Sequence, residues 1–127
     1  MLTIRQDQMD VFRESGKRSF EVRMVKHIET HFPEEREALV QTGGEGAVYQ
    51  LIRDMIARGE TYKIVTERGV AGLIDLSVAY GQDFELYPER EWAREILEDE
   101  SLEESTRVQL VLEQMPEEPV ERDVFLQ

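Results

Sequence analysis

The apolar positions of this chain recur at steps of three and four residues, the period of one face of an α-helix. In the first block, Met9, Phe12, Phe20, Met24, Val25, Ile28 and Phe32 share a stripe. That stripe predicts a helix from about Gln6 to His31, with Asp7 as its cap. Gly16 weakens the block by about 1 kcal/mol relative to alanine, so a bend or break is expected there. Phe32-Pro33 ends it, because the residue before a proline avoids helical dihedrals. Pro33 in turn suits the first position of a short helix. Glu34, Glu35 and Glu37 would stand where the helix dipole favours anions, and Ala38 and Leu39 would face inward. Thr42-Gly43-Gly44 reads as a loop.

The next block, from about Glu45 to Tyr62, carries the cleanest stripe: Val48, Leu51, Ile52, Met55 and Ile56. Lys63-Ile64-Val65 is a connector, with Ile64 expected to plug the core. Thr66 is a good N-cap for a further helix whose buried side is Val70, Leu73, Ile74, Ser77, Val78 and Tyr80. Gly81 stands where a left-handed C-terminal residue belongs. Gly69 and Gly72 fall near the buried side and would let a neighbouring helix approach closely. Gln82 to Tyr87 is a loop anchored by Phe84 and Tyr87. Pro88 opens a short helix with Trp92, Ile96 and Leu97, broken at Asp99-Glu100. Ser101 and Glu104 have capping-box spacing before a last helix through Val108, Val111, Leu112 and Met115. Pro116 and Pro119 stop it.

No segment alternates with the period of a strand. The pattern therefore predicts an all-α, single-domain bundle of five or six helices with short loops. The helical domain covers 1–116, and 117–127 form an acidic C-terminal tail, flexible or docked on a partner, with an apolar tip at Val124, Phe125 and Leu126.

Charge narrows the function classes. The 127 residues include 28 acidic and 15 basic side chains, a net of −13. Phosphate contacts need a basic face, so nucleic-acid binding is not expected. The charge is also uneven: residues 1–32 carry a net of +1, residues 33–84 of −4 and residues 85–127 of −10. The acidic third could serve solubility or steer a basic partner. The absence of cysteine removes disulfides, thiolate metal sites and cysteine nucleophiles, and fits a reducing compartment. No apolar run approaches the roughly 20 residues that span a bilayer, so membrane insertion is not expected. Met1 to Asp7 does not read as a secretory signal, and a cytoplasmic protein is expected.

The motifs that could carry chemistry do not match their templates. His27 and His31 share a helix face, but Glu29 lies two residues after the first histidine. Zinc proteases place the glutamate directly after it. Asp83, Glu85, Glu89 and Glu91 lack the central glycine of a calcium loop. Gly43-Gly44-Glu45-Gly46 lacks the Lys-Ser/Thr of a phosphate loop. Ser15, Ser19, Ser77, Ser101 and Ser105 have no nucleophile motif around them. The expectation is a non-enzyme without metal or cofactor. As the lone tryptophan, Trp92 reads either as core or as an exposed anchor of the kind enriched in binding hot spots. The candidate partner contacts are Asp83, Phe84, Tyr87 and Trp92, with Val124, Phe125 and Leu126 in the tail.

Three stretches carry a resemblance: Thr66-Glu67-Arg68-Gly69-Val70-Ala71-Gly72-Leu73-Ile74-Asp75-Leu76, then Tyr80-Gly81-Gln82-Asp83-Phe84, then Trp92-Ala93-Arg94-Glu95-Ile96-Leu97. With His31-Phe32-Pro33-Glu34 they resemble small helical bacterial proteins commonly encoded in type VI secretion gene clusters, near spike, PAAR-tip and adaptor genes. The resemblance spans roughly residues 9–112. It implies an accessory, co-chaperone-like or adaptor role in loading an effector or spike tip. The implied partner is an adaptor, chaperone, effector or spike-tip protein encoded nearby, and no catalytic residue is implied. Gly69 and Gly72 stand where larger residues are expected in many such proteins, which suggests a groove opened for a partner. An immunity protein that neutralises a cognate toxin is the alternative reading, since small acidic proteins suit basic toxin sites.

Overall fold

The computed structural model describes residues 14–116, and all of the regular structure in that range is helical. Six α-helices follow in order: α1 (Glu14–His31), α2 (Pro33–Gly43), α3 (Gly46–Thr61), α4 (Glu67–Tyr80), α5 (Glu91–Leu97) and α6 (Glu104–Gln114). A 3-10 turn, Pro88–Arg90, leads into α5. The expected bundle of five or six helices is therefore what forms.

The core gathers the inward stripes. Phe20, Met24 and Ile28 come from α1, and Leu51, Ile52 and Met55 from α3. α4 contributes most, burying eight residues from Glu67 to Val78. Ile64 is fully buried, as its place between two helices suggests. Gly16 does not interrupt α1, which continues through it. α2 contrasts with the rest. None of its residues is buried, Leu39 and Val40 only rest on the core, and Ala38, expected to face inward, is exposed.

α4 and α6 run in the same direction. Gly69 faces Glu104, Gly72 faces Val108, and the Tyr80 hydroxyl donates to the Pro116 carbonyl at 2.6 Å. The close approach expected at the glycines is met: a Cβ on Gly72 would lie 2.3 Å from Val108 Cγ1. The space that a larger residue at Gly72 would fill is thus occupied by the Val108 side chain of α6.

Both ends of α4 follow their sequence signals, with one adjustment. The Thr66 hydroxyl accepts from the Gly69 amide at 3.2 Å, as an N-cap does. Gly81 has φ +109 and ψ 144, so it needs a glycine but turns the chain into extended backbone rather than a left-handed one. The end of α3 gave no such signal. Lys63 takes φ +61, the Ile64 amide donates to Gly59 O at 2.7 Å, and the Lys63 amide donates to Glu60 O at 3.1 Å. This is the pair of bonds that closes a helix through a left-handed residue, usually glycine.

The capping box expected at Ser101 does not form. The Ser101 hydroxyl donates to Asp99 Oδ1 at 2.6 Å, and Glu103 is the residue before α6. Glu104 reaches instead to another helix. Its Oε1 accepts from the amides of Val65 at 2.6 Å and Thr66 at 2.9 Å, placing an anion at the start of α4.

Candidate functional site

The loop between α4 and α5 carries most of the residues that sequence marks as partner contacts. Its course is set by Arg58 in the last turn of α3. Arg58 Nη1 donates to the Gln82 carbonyl at 2.8 Å and to both oxygens of Glu85 at 3.2 Å. Its Nη2 donates to Asp83 Oδ1 at 3.0 Å. Glu85 is fully buried, and the Tyr62 hydroxyl donates to its Oε2 at 2.6 Å. Burial, and then the neighbouring Glu85 carboxylate, hold the Tyr62 hydroxyl well above the usual tyrosine range. Burial alone would lower Arg58, but Glu85 and Asp83 outweigh it, so the guanidinium stays firmly charged.

The loop backbone is held as well. Arg90 Nη1 donates to the Phe84 carbonyl at 3.3 Å and Arg94 Nη1 to the Glu85 carbonyl at 3.0 Å. Gln82 Nε2 donates to Asp54 Oδ2 at 2.9 Å.

This wiring decides the fate of each expected contact. Phe84 is fully buried and serves as a core anchor; it cannot present itself to a partner. Asp83 is exposed, with its carboxylate held by Arg58. Tyr87 and Trp92 are half-buried, and Trp92 packs against the core. Val124, Phe125 and Leu126 lie outside the described residues. Sequence reasoning passed over Leu86, which is 48% exposed. Its one signal was an apolar residue between two residues whose side chains turn inward.

A second buried arginine closes the junction behind the loop. Arg107 Nη1 donates to the carbonyls of Tyr62 at 2.7 Å and Leu97 at 2.8 Å, and its Nε donates to Leu102 O at 3.1 Å. It places one cation at the C-terminal ends of both α3 and α5, where the helix dipoles favour positive charge.

The surface consequence is electrostatic. Between residues 85 and 116 the basic residues are Arg90, Arg94 and Arg107, and all three donate to backbone carbonyls. Apart from Glu85 and Glu104, which turn inward, the carboxylates of the same stretch stay outside: Glu91, Glu95, Glu98, Asp99, Glu100 and Glu103 are all exposed. Among the described residues no salt bridge reaches any of them. The hydrogen bonds of Ser101 hold Asp99 below the usual carboxylate range. The result is an acidic face on a fixed frame, with half-exposed Leu86 five residues before its first carboxylate.

The histidines find a structural partner. His27 Nε2 donates to Asp75 Oδ1 at 2.8 Å, and the His31 ring lies 4.6 Å from the His27 ring. Among the described residues no group of three or more such side chains is placed to hold a metal ion. No helix among them is long and apolar enough to cross a membrane.

In comparison with known proteins, no family model, no curated protein and no solved structure matches this chain.

Proposed function

We propose that this protein is a non-catalytic binding factor that presents its α5–α6 acidic face to a basic surface of another protein. The observation that carries this reading is the inward turn of Arg90, Arg94 and Arg107. Among the described residues it leaves six neighbouring carboxylates with no salt bridge to a cation. A rigid face of one sign raises the rate of encounter with a partner of the other sign and selects against wrong partners. Leu86 supplies a half-exposed apolar contact beside it.

Together with the resemblance, this supports a type VI secretion co-chaperone or adaptor that holds an effector or spike-tip protein before loading. Co-expression with the products of neighbouring genes, followed by size exclusion, tests the reading. One neighbour should co-elute stoichiometrically, dissociate at high salt, and be lost when Glu95, Glu98 and Glu100 are all changed to lysine. If no neighbour co-elutes, the reading fails.

The same face supports a second reading, an immunity protein. Fixed carboxylates on a rigid frame suit the basic cleft of a toxin that acts on nucleic acid. The discriminating measurement is survival. An immunity protein rescues cells from the adjacent toxin without the rest of the apparatus, whereas a chaperone raises effector abundance.

A further inference from the structure

Two surface features lie away from the acidic face. The first is the outer ridge of α1. Arg18, Val22 and Lys26 are one turn apart, all exposed, and opposite the inward Phe20, Met24 and Ile28. Val22 is 59% exposed, flanked by two cations. Glu29, further along the same ridge, already faces Arg36 at 3.8 Å.

The second is a groove of about 740 Å³ between α4 and α6. Its apolar walls are Ala71, Leu76, Val108 and Leu112, and Leu112 is 47% exposed although its helix stripe suggests burial. Carboxylates stand at its mouth, Asp75 on α4 and Glu113 on α6. Arg68, also at the mouth, is engaged in an interaction of its own.

Each feature matches the other. The ridge is apolar at its centre and basic on both sides; the groove is apolar within and acidic at its mouth. They also border one another, because Asp75 both lines the groove and accepts the hydrogen bond from His27 of α1. We propose that two copies of this chain pair about a two-fold axis, with the α1 ridge of each copy seated in the α4–α6 groove of the other.

The dimensions agree. From Arg18 to Lys26 the ridge runs about 12 Å and the 11-residue α6 is about 16 Å long, so the ridge fits within the groove. A two-fold arrangement makes the contact twice and closes, leaving no open groove to propagate a chain. This inference is independent of the acidic face and of any secretion role.

Light scattering and sedimentation of the full chain test it. The 14.9 kDa chain should run as a dimer in the micromolar range and dissociate as salt rises. Val22→Asp and Leu112→Asp should each weaken the dimer at least about tenfold, since both truncate a central apolar contact. Both sites are exposed, so the helical circular dichroism should be unchanged. The decisive arm mixes the two variants. Each associates more weakly alone, but a mixed dimer contains one intact ridge–groove contact and should form at lower concentration than either variant's own dimer. A monomer throughout the micromolar range overturns the proposal. So does a dimer broken by Val22→Asp and untouched by Leu112→Asp, which would be ridge-on-ridge pairing.

Discussion

Arginine–carboxylate pairs hold two regions of this molecule, and they do so in different surroundings. At the α4–α5 loop, Arg58 is 20% exposed and Glu85 not at all, and Tyr62 completes the carboxylate's bonds. Along α1, the cations sit half in water: Arg23 is 47% exposed against Glu67, and Arg53 is 56% exposed against Glu21. The chemistry is the same, but the dielectric is not. A pair taken out of water contributes little net stability when intact, yet is costly to break, because the survivor is a buried charge. In the α1 pairs only the arginine reaches water, and Glu67 and Glu21 are themselves buried, so losing the arginine costs least where another feature supports the carboxylate. The loop is therefore held by a fully enclosed polar network, and α1 by its apolar stripe with ion pairs whose arginines remain hydrated.

The largest expected effect follows from the loop. Arg58→Ala leaves Glu85 buried with only the Tyr62 hydroxyl, and should lower unfolding free energy by about 3–5 kcal/mol in urea titrations. Adding Glu85→Gln should recover part of that loss, because the two residues form one network. A loss below about 1 kcal/mol for Arg58→Ala would erase the contrast with α1.

Arg107 sharpens the comparison, since among the described residues this buried cation forms no salt bridge and donates to backbone carbonyls instead. Arg107→Met keeps its volume but strands the carbonyls of Tyr62 and Leu97 at two helix ends. Leaving buried acceptors unmade costs about 1–3 kcal/mol each, offset in part by no longer burying a charge. A net loss of about 2 kcal/mol is expected, read by the same titration.

Much of this fold was legible in the chain and much of the site was not, for a physical reason. Helix stripes, Pro33, Thr66 and Gly81 are local signals, each acting within a turn of itself, and each is used where it stands. The close approach at Gly72 was also readable, since a missing side chain on a buried face has few other uses. The loop network was not, because Glu85 joins Arg58 and Tyr62 across 27 and 23 residues, and no local pattern encodes that pairing. The same holds for Glu104. Its spacing from Ser101 points to its own helix, but tertiary packing gives it to the start of α4. Lys63 was hidden because a left-handed helix end usually announces itself with glycine. The inward turn of three arginines, which creates the acidic face, is again a matter of long-range acceptors.

On the α1 side the expected effects are smaller. Arg23→Ala removes a bidentate pair to Glu67, with bonds of 3.0 and 2.8 Å. Glu67 is buried but lies in the first turn of α4, where the helix dipole supports an anion. Thermal and urea unfolding should register a loss of only about 0.5–1 kcal/mol. A loss as large as that of Arg58→Ala would mean that α1 is held by charge rather than by Phe20, Met24 and Ile28.

The smallest effect separates attraction from burial at a single residue. Burial raises the Asp75 pKa above its ordinary 3.8, while the hydrogen bond from His27 and the charges of His27 and His31 pull it down; burial prevails. A carboxyl whose folded pKa is raised favours the folded state most when protonated. Its contribution is complete below pH 3.8 and is lost as pH rises through the raised value. At neutral pH the ionised Asp75 is therefore a net cost, and Asp75→Asn, which still accepts from His27, escapes it. The variant should match or exceed the native protein in stability at pH 7.5. Its advantage should grow as pH is raised above 3.8, the direction in which the native carboxyl ionises. A variant less stable at pH 7.5 would show that the histidine pair outweighs desolvation. The α1–α4 contact would then belong with the buried clamp at Glu85 rather than with the half-solvated pairs beside it.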